Sequence, residues 1–357
     1  MTTAAFDEHT LSRVLNLPTG KDQEFANQVV SALQRIDRAL LPPAASHPLS
    51  GLIVQGPERV PKLLELAESA DPRKSADALD ALAHVLLTNR IAAPAAKRLH
   101  ALMKTQKNPD KAALIAKVLA IGGDEALLRD QLRLLADEDP GLVATAARLL
   151  GLGHYSPAVP VLRALVSPDR MYESRMVIWA LGEIGDVSAT RELELALASG
   201  FRSVDAIIAL GKLGQITTIP RLTPMILSGL PEQRDAAYRA LAMILDENRD
   251  LADVLGTARN DLVGLIVGQL EDDKVDLSGS TRFHMLLCLA RLEEKLDQAR
   301  VRKYLRIDLH EKEAGGMATF FASRGDAKKG PTKKTQKDTP AEADAMSSFF
   351  MKRGTKK

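Results

Sequence analysis

Residues 177–227 read VIWALGEIGDVSATRELELALASGFRSVDAIIALGKLGQITTIPRLTPMIL. Two passages inside this stretch are copies of each other, ALGEIGD at 180–186 and ALGKLGQ at 209–215. In each, apolar residues three apart, Leu181 with Ile184 and Leu210 with Leu213, fall on one side of a helix. Each then closes on a glycine, Gly185 or Gly214, which accepts the left-handed conformation that ends helices. A short loop and a second apolar-periodic stretch follow each glycine. No stretch shows the sustained period-two alternation that strands need, so the spacing predicts an all-α fold.

Working outward, the same ending recurs as LAIGGD at 119–124, LLGLGH at 149–154 and LAMILD at 241–246. Alignment on Gly123, Gly153, Gly185, Gly214 and Leu245 gives a step of about thirty residues. Leu119, Leu149, Leu181, Leu210 and Leu241 then share a column, as do Gly122, Leu152, Ile184, Leu213 and Ile244, and together they predict the buried stripe. Helix starts keep the same step. Asp71-Pro72, Asn108-Pro109, Asp139-Pro140 and Ser167-Pro168 place a capping side chain before a proline, with Leu230-Pro231 as a weaker fifth. Val60-Pro61, Val159-Pro160 and Ile219-Pro220 open the second helix of a pair. A unit of two helices in about thirty residues cannot hide its own apolar face, so the units must stack.

These units resemble HEAT-type repeats of the short class named after phycobilisome lyases, whose hallmark is a helix ending A-L-G-x-I/L-G-D. The likeness is carried by 109–245, extends over 50–108, and fades over 246–307, where the glycine ends are missing. The resemblance implies a right-handed α-solenoid that binds other macromolecules and prescribes no reaction. The expected organisation is an N-terminal helical cap over 1–46, a repeat solenoid over 47–307 and a disordered basic tail over 308–357.

Composition bounds the function. Aromatics make up 4% of the 357 residues, and the single cysteine, Cys288, excludes an internal disulfide and cysteine-based zinc sites. The N-terminal MTTAAFDEHT has neither a basic start nor an apolar run, and no segment approaches the ~18 apolar residues of a membrane span. A cytoplasmic protein is expected, or a nuclear one in a nucleated cell. No HExxH, P-loop or GxSxG motif is present, and no two of the seven histidines are spaced i, i+4 as ligands on one helix face.

Deoxyhypusine hydroxylase, built from similar repeats, binds di-iron through His-Glu pairs at helix ends. The corresponding positions here are Asp124, His154, Asp186, Gln215 and Asp246. Bilin lyases share the repeat frame alone. HEAT-like alkylpurine glycosylases use Trp and Asp on a strongly basic face, which a mildly acidic body does not supply. The expectation is therefore a non-enzymatic chain with no catalytic, cofactor or metal site, and with weak or indirect contact to nucleic acid.

Two features invite partners. Trp179 aligns with Lys117, Ala147, Ile208 and Arg239, a mixed column that reads either as an exposed hot spot or as amphipathic packing on a neighbouring helix. The second is the tail. Residues 301–357 hold 14 Lys+Arg against 7 Asp+Glu, leaving 34 and 39 for residues 1–300. Within the tail, Met317, Phe320, Phe321, Arg324 and Gly325 recur as Met346, Phe349, Phe350, Arg353 and Gly354. One helical turn gathers each Met and Phe pair into an apolar plug followed by a basic residue.

The pattern resembles the box by which replication and repair proteins bind ring-shaped sliding clamps, except that Ala314 and Ala343 stand where that box has Gln. The leading expectation is an adaptor, its solenoid holding one protein and its duplicated tail motif recruiting another. The alternative is a clamp-tethered DNA replication or repair factor.

Overall fold

The computed structural model describes residues 47–105, 108–248, 255–292, 300 and 303–304. The expected cap over 1–46 and tail over 308–357 lie outside the described residues. Every described element is helical, and the chain is an all-α solenoid of stacked helices. The helices are α1 Ser50–Val54, α2 Val60–Ala67, α3 Pro72–Leu86, α4 Ala93–Thr105, α5 Pro109–Ile121, α6 Glu125–Leu134, α7 Pro140–Leu152 and α8 Val159–Ala164. They continue as α9 Met171–Ile184, α10 Thr190–Ala198, α11 Ser203–Leu213, α12 Ile219–Ser228, α13 Pro231–Glu247, α14 Thr257–Glu271 and α15 Gly279–Arg291.

The odd-numbered helices from α3 to α15 form one row, each packed on the next. The even-numbered α4 to α12 form a second row, each helix packed on the first-row helix that follows it. Caps set the starts. Asp71 accepts from the Arg73 and Lys74 amides, Asp139 from Gly141 and Ser167 from Asp169, satisfying first-turn N–H groups that have no partner inside the helix. At Leu230 the cap comes from the other side, because the Gln233 side chain accepts from the Leu230 amide at 3.1 Å.

Helix ends follow the expected glycines with one exception. Gly123, Gly185 and Gly214 have φ of 71°, 75° and 68°. Gly153 is right-handed at φ −83°, and His154 takes the left-handed place at φ 47°. A side chain at Gly153 would put its Cβ 2.7 Å from Leu128 and 3.1 Å from the Ala120 carbonyl, so this glycine is held by close packing. The expected register is thereby corrected by one residue in this repeat. Leu150, fully buried, occupies the core column with Leu119, Leu181, Leu210 and Leu241, while Leu149 is only half-buried. Leu245 ends nothing, since α13 continues to Glu247.

The first glycine of each motif has a different task. A Cβ at Gly151 would lie 2.9 Å from the Cα of Ala180, one at Gly182 2.9 Å from that of Ala209, and one at Gly211 2.5 Å from that of Ala240. Glycine against alanine, repeated along the row, lets α7, α9, α11 and α13 pack backbone to backbone. Interior leucines then close the core, each contributing about 1.5–3 kcal/mol by leaving water.

Candidate docking surface

With the register corrected, Trp179 shares its column with Lys117, Arg148, Ile208 and Arg239. Ala147, expected there, is fully buried. The column runs over the face of the first row that no described second-row helix covers, and Arg148 is exposed while the others are half-buried.

Trp179 sits where three repeats meet. The edge of its six-membered ring fills the notch left by Gly151 on α7, with Cζ3 2.8 Å from where a Cβ would stand. From α11, Lys212 Nζ lies 5.7 Å from the ring centroid, within range of a cation–π attraction. Lys212 also pairs with Glu183. The Glu183 carbonyl accepts from His154 Nδ1 at 2.5 Å, which ties the left-handed end of α7 to α9.

Tyr172, Arg175 and Trp179 form one stripe of α9, because three and seven residues are about one and two helical turns. Tyr172 is 69% exposed and the preceding Met171 63% exposed. Half-buried Phe201 stands in the turn before α11, and on α11 the facing residues are exposed Val204, Asp205 and half-buried Ile208. Arg175 reaches Asp205 at 3.6 Å across the two helices. Arg202, held at φ 48°, donates from Nη2 to the Met171 carbonyl at 2.6 Å. An open depression of about 450 Å³ lies between, bounded by Met171 and residues 200–205.

The sequence singled out Trp179 and missed Tyr172, Met171, Phe201 and Arg148. One signal was available. Tyr172 precedes Trp179 by seven residues and therefore lies on the same stripe. The other expected partner-binding residues, Met317, Phe320, Phe321, Arg324, Met346, Phe349, Phe350 and Arg353, lie outside the described residues.

Other ionisable groups serve the frame. Asp124 accepts from the Leu127 amide and pairs with His100 Nε2, both at 2.9 Å, and Asp186 caps Ser188, whose N–H and hydroxyl hold its carboxyl below the usual range. In the second row, Arg163 bonds Glu192 at 2.7 Å and lowers its carboxyl pKa. Burial pushes the Cys288 thiol and the Tyr238 phenol up, and Tyr238 donates to Gln269 at 2.8 Å. Among the described residues no three His, Cys, Asp or Glu side chains converge as a metal site, and no helix is long and apolar enough to cross a membrane.

No protein-family model and no curated protein matches the chain. Solved structures do. The complex of CpcE and CpcF of phycocyanin lyase from Nostoc sp. PCC7120 is 17% identical, covering 66% of this chain and 94% of that one at a TM-score of 0.39. An engineered protein is 19% identical, covering 66% and 97% at a TM-score of 0.29. The helical-repeat architecture rests on the stacked helices themselves, and at these identities and scores the likeness carries nothing finer. The expectation of a non-enzymatic chain is corrected here. A phycocyanin lyase stands among the matched structures, so a frame of this kind also occurs in enzymes, and the lack of a familiar catalytic motif does not make the chain inert.

Proposed function

We propose that the repeat array is a protein-docking scaffold whose docking surface is the exposed face of α9 and α11. One observation carries this reading. In a chain with 4% aromatics, Tyr172 and Trp179 lie on one stripe of α9 with exposed Arg175 between them and exposed Met171 beside them, and half-buried Phe201 stands in the turn that leads into α11. Tyr, Trp, Met and Arg are the residues that dominate binding energy at protein interfaces, and an anchor of this kind contributes about 2 kcal/mol or more.

The duplicated Met-x-x-Phe-Phe tail is a second recruiting element in this reading. Two copies on one arm raise the avidity for a multimeric partner by ~10²–10⁴. A ring-shaped clamp is the second reading for the tail, favoured by the paired Phe and the following Arg324 and Arg353.

Capture of purified partners by the full chain separates the two elements. Tyr172→Ala with Trp179→Ala is expected to release one set of proteins. Alanine at Phe320, Phe321, Phe349 and Phe350 is expected to release another, with a clamp among them only if the second reading holds. Identical capture by all three proteins would end the scaffold reading.

A further inference from the structure

We infer that the surface through Trp179 accepts an extended protein segment with carboxylates at both ends and apolar side chains between them. This rests on the docking reading above and names the chemistry of the partner. The argument begins with which cations are already neutralised. Along the uncovered face of the first row, Lys117 meets Asp80 at 3.7 Å, Arg175 meets Asp205 at 3.6 Å, and Lys212 and Arg291 pair with Glu183 and Asp246. Arg148 and Arg239 form no ion pair and no side-chain hydrogen bond among the described residues. They share the Trp179 column and bracket it, in the order Arg148 on α7, Trp179 on α9, Ile208 on α11 and Arg239 on α13.

A charge–apolar–apolar–charge line follows, and its complement is an acidic–apolar–acidic segment. Spacing sets the length. Neighbouring helices pack about 8–10 Å apart, so three steps along the row span about 24–30 Å. An extended strand rises about 3.3 Å per residue and covers that span in roughly eight or nine residues.

The middle of the line suits side chains of a protein better than bases. Lys212 lies over the indole, removing one face as a stacking platform. Glu183 and Asp205 neutralise Lys212 and Arg175, which leaves the middle of the line without an unpaired cation for an evenly charged phosphate backbone. A segment with carboxylates at its ends alone needs neither.

Trp179 is the sole tryptophan of the chain, so its fluorescence reports this surface directly. The full-length protein is titrated with a nine-residue peptide bearing two Glu at each end around Leu and Phe. The expected result is a saturable change in Trp179 emission. Affinity should fall at least about tenfold in Arg148→Glu/Arg239→Glu, two surface changes whose intact fold is checked by circular dichroism. A peptide with Lys in place of Glu should give no change.

An equal response to the Lys peptide, or a response insensitive to the double charge reversal, overturns the inference and leaves the docking reading standing. A response to a single-stranded oligonucleotide and none to the Glu peptide also overturns it. If neither peptide acts and Tyr172→Ala leaves partner capture unchanged, the docking reading fails with it.

Discussion

The aromatic residues of the central repeats and those of the C-terminal end meet opposite fates. Tyr172 and Trp179 on α9 and Phe201 in the turn before α11 are exposed or half-buried, whereas Tyr238 on α13, Phe283 on α15 and Tyr304 are buried. Helix separation accounts for the contrast. From α7 to α13, a Cβ added to the row glycines would fall 2.5–2.9 Å from an alanine Cα, so no more than the edge of the Trp179 ring enters between the helices. Beyond α13 the small residues are idle, since a Cβ at Gly264 or Gly268 on α14 would meet nothing within 4 Å. There Tyr238 reaches Gln269, and the Cys288 thiol reaches the Tyr238 carbonyl at 3.6 Å, so large side chains fill the gap instead. An aromatic on α9, which is closely packed on both sides, stays at the surface, where it is available to a partner.

The comparison breaks most readily at the aromatics themselves. Tyr238→Ala is expected to cost about 3–5 kcal/mol of stability by opening a cavity, and Tyr172→Ala within about 0.5 kcal/mol of nothing, both read from denaturant melts. Equal losses would mean that Tyr172 is a core residue.

The glycines sharpen the same contrast with smaller effects. Gly211→Val drives new atoms into the Ala240 backbone and is expected to cost at least about 1–3 kcal/mol. Gly264→Ala, in open space within α14, is expected to gain about 0.5–1 kcal/mol from helix propensity.

The smallest effect concerns charge in the second row. Glu192 has its pKa lowered by Arg163, so their bond stabilises the fold above the ordinary carboxyl pKa of 4.5 and is lost as pH falls through the lowered folded value. Both side chains are partly exposed, so Arg163→Met should cost under about 1 kcal/mol at pH 7. Melts of the two proteins should converge as the pH drops below 4.5.

The helix pairs were readable because capping and closure are local. Asp71, Asp139 and Ser167 mark helix starts wherever they occur, and Gly185 needs only its own backbone to end α9. What the sequence concealed depends on the neighbouring repeat. Gly151 looks like part of a closing motif until Ala180 is seen against it. The one-residue shift that replaces Ala147 with Arg148 beside Trp179 follows from His154 adopting a left-handed conformation that a histidine seldom takes. Met171 and Phe201 line one depression only after α9 and α11 stack. Catalysis was misjudged for another reason, since motif absence speaks only of the reactions whose motifs are known.

The most direct measurement is acrylamide quenching of Trp179 in the full-length protein, alone and with a captured partner bound. The docking account predicts that quenching falls when the partner binds, because the partner covers the exposed edge of the indole. Unchanged quenching with the partner demonstrably bound would contradict it.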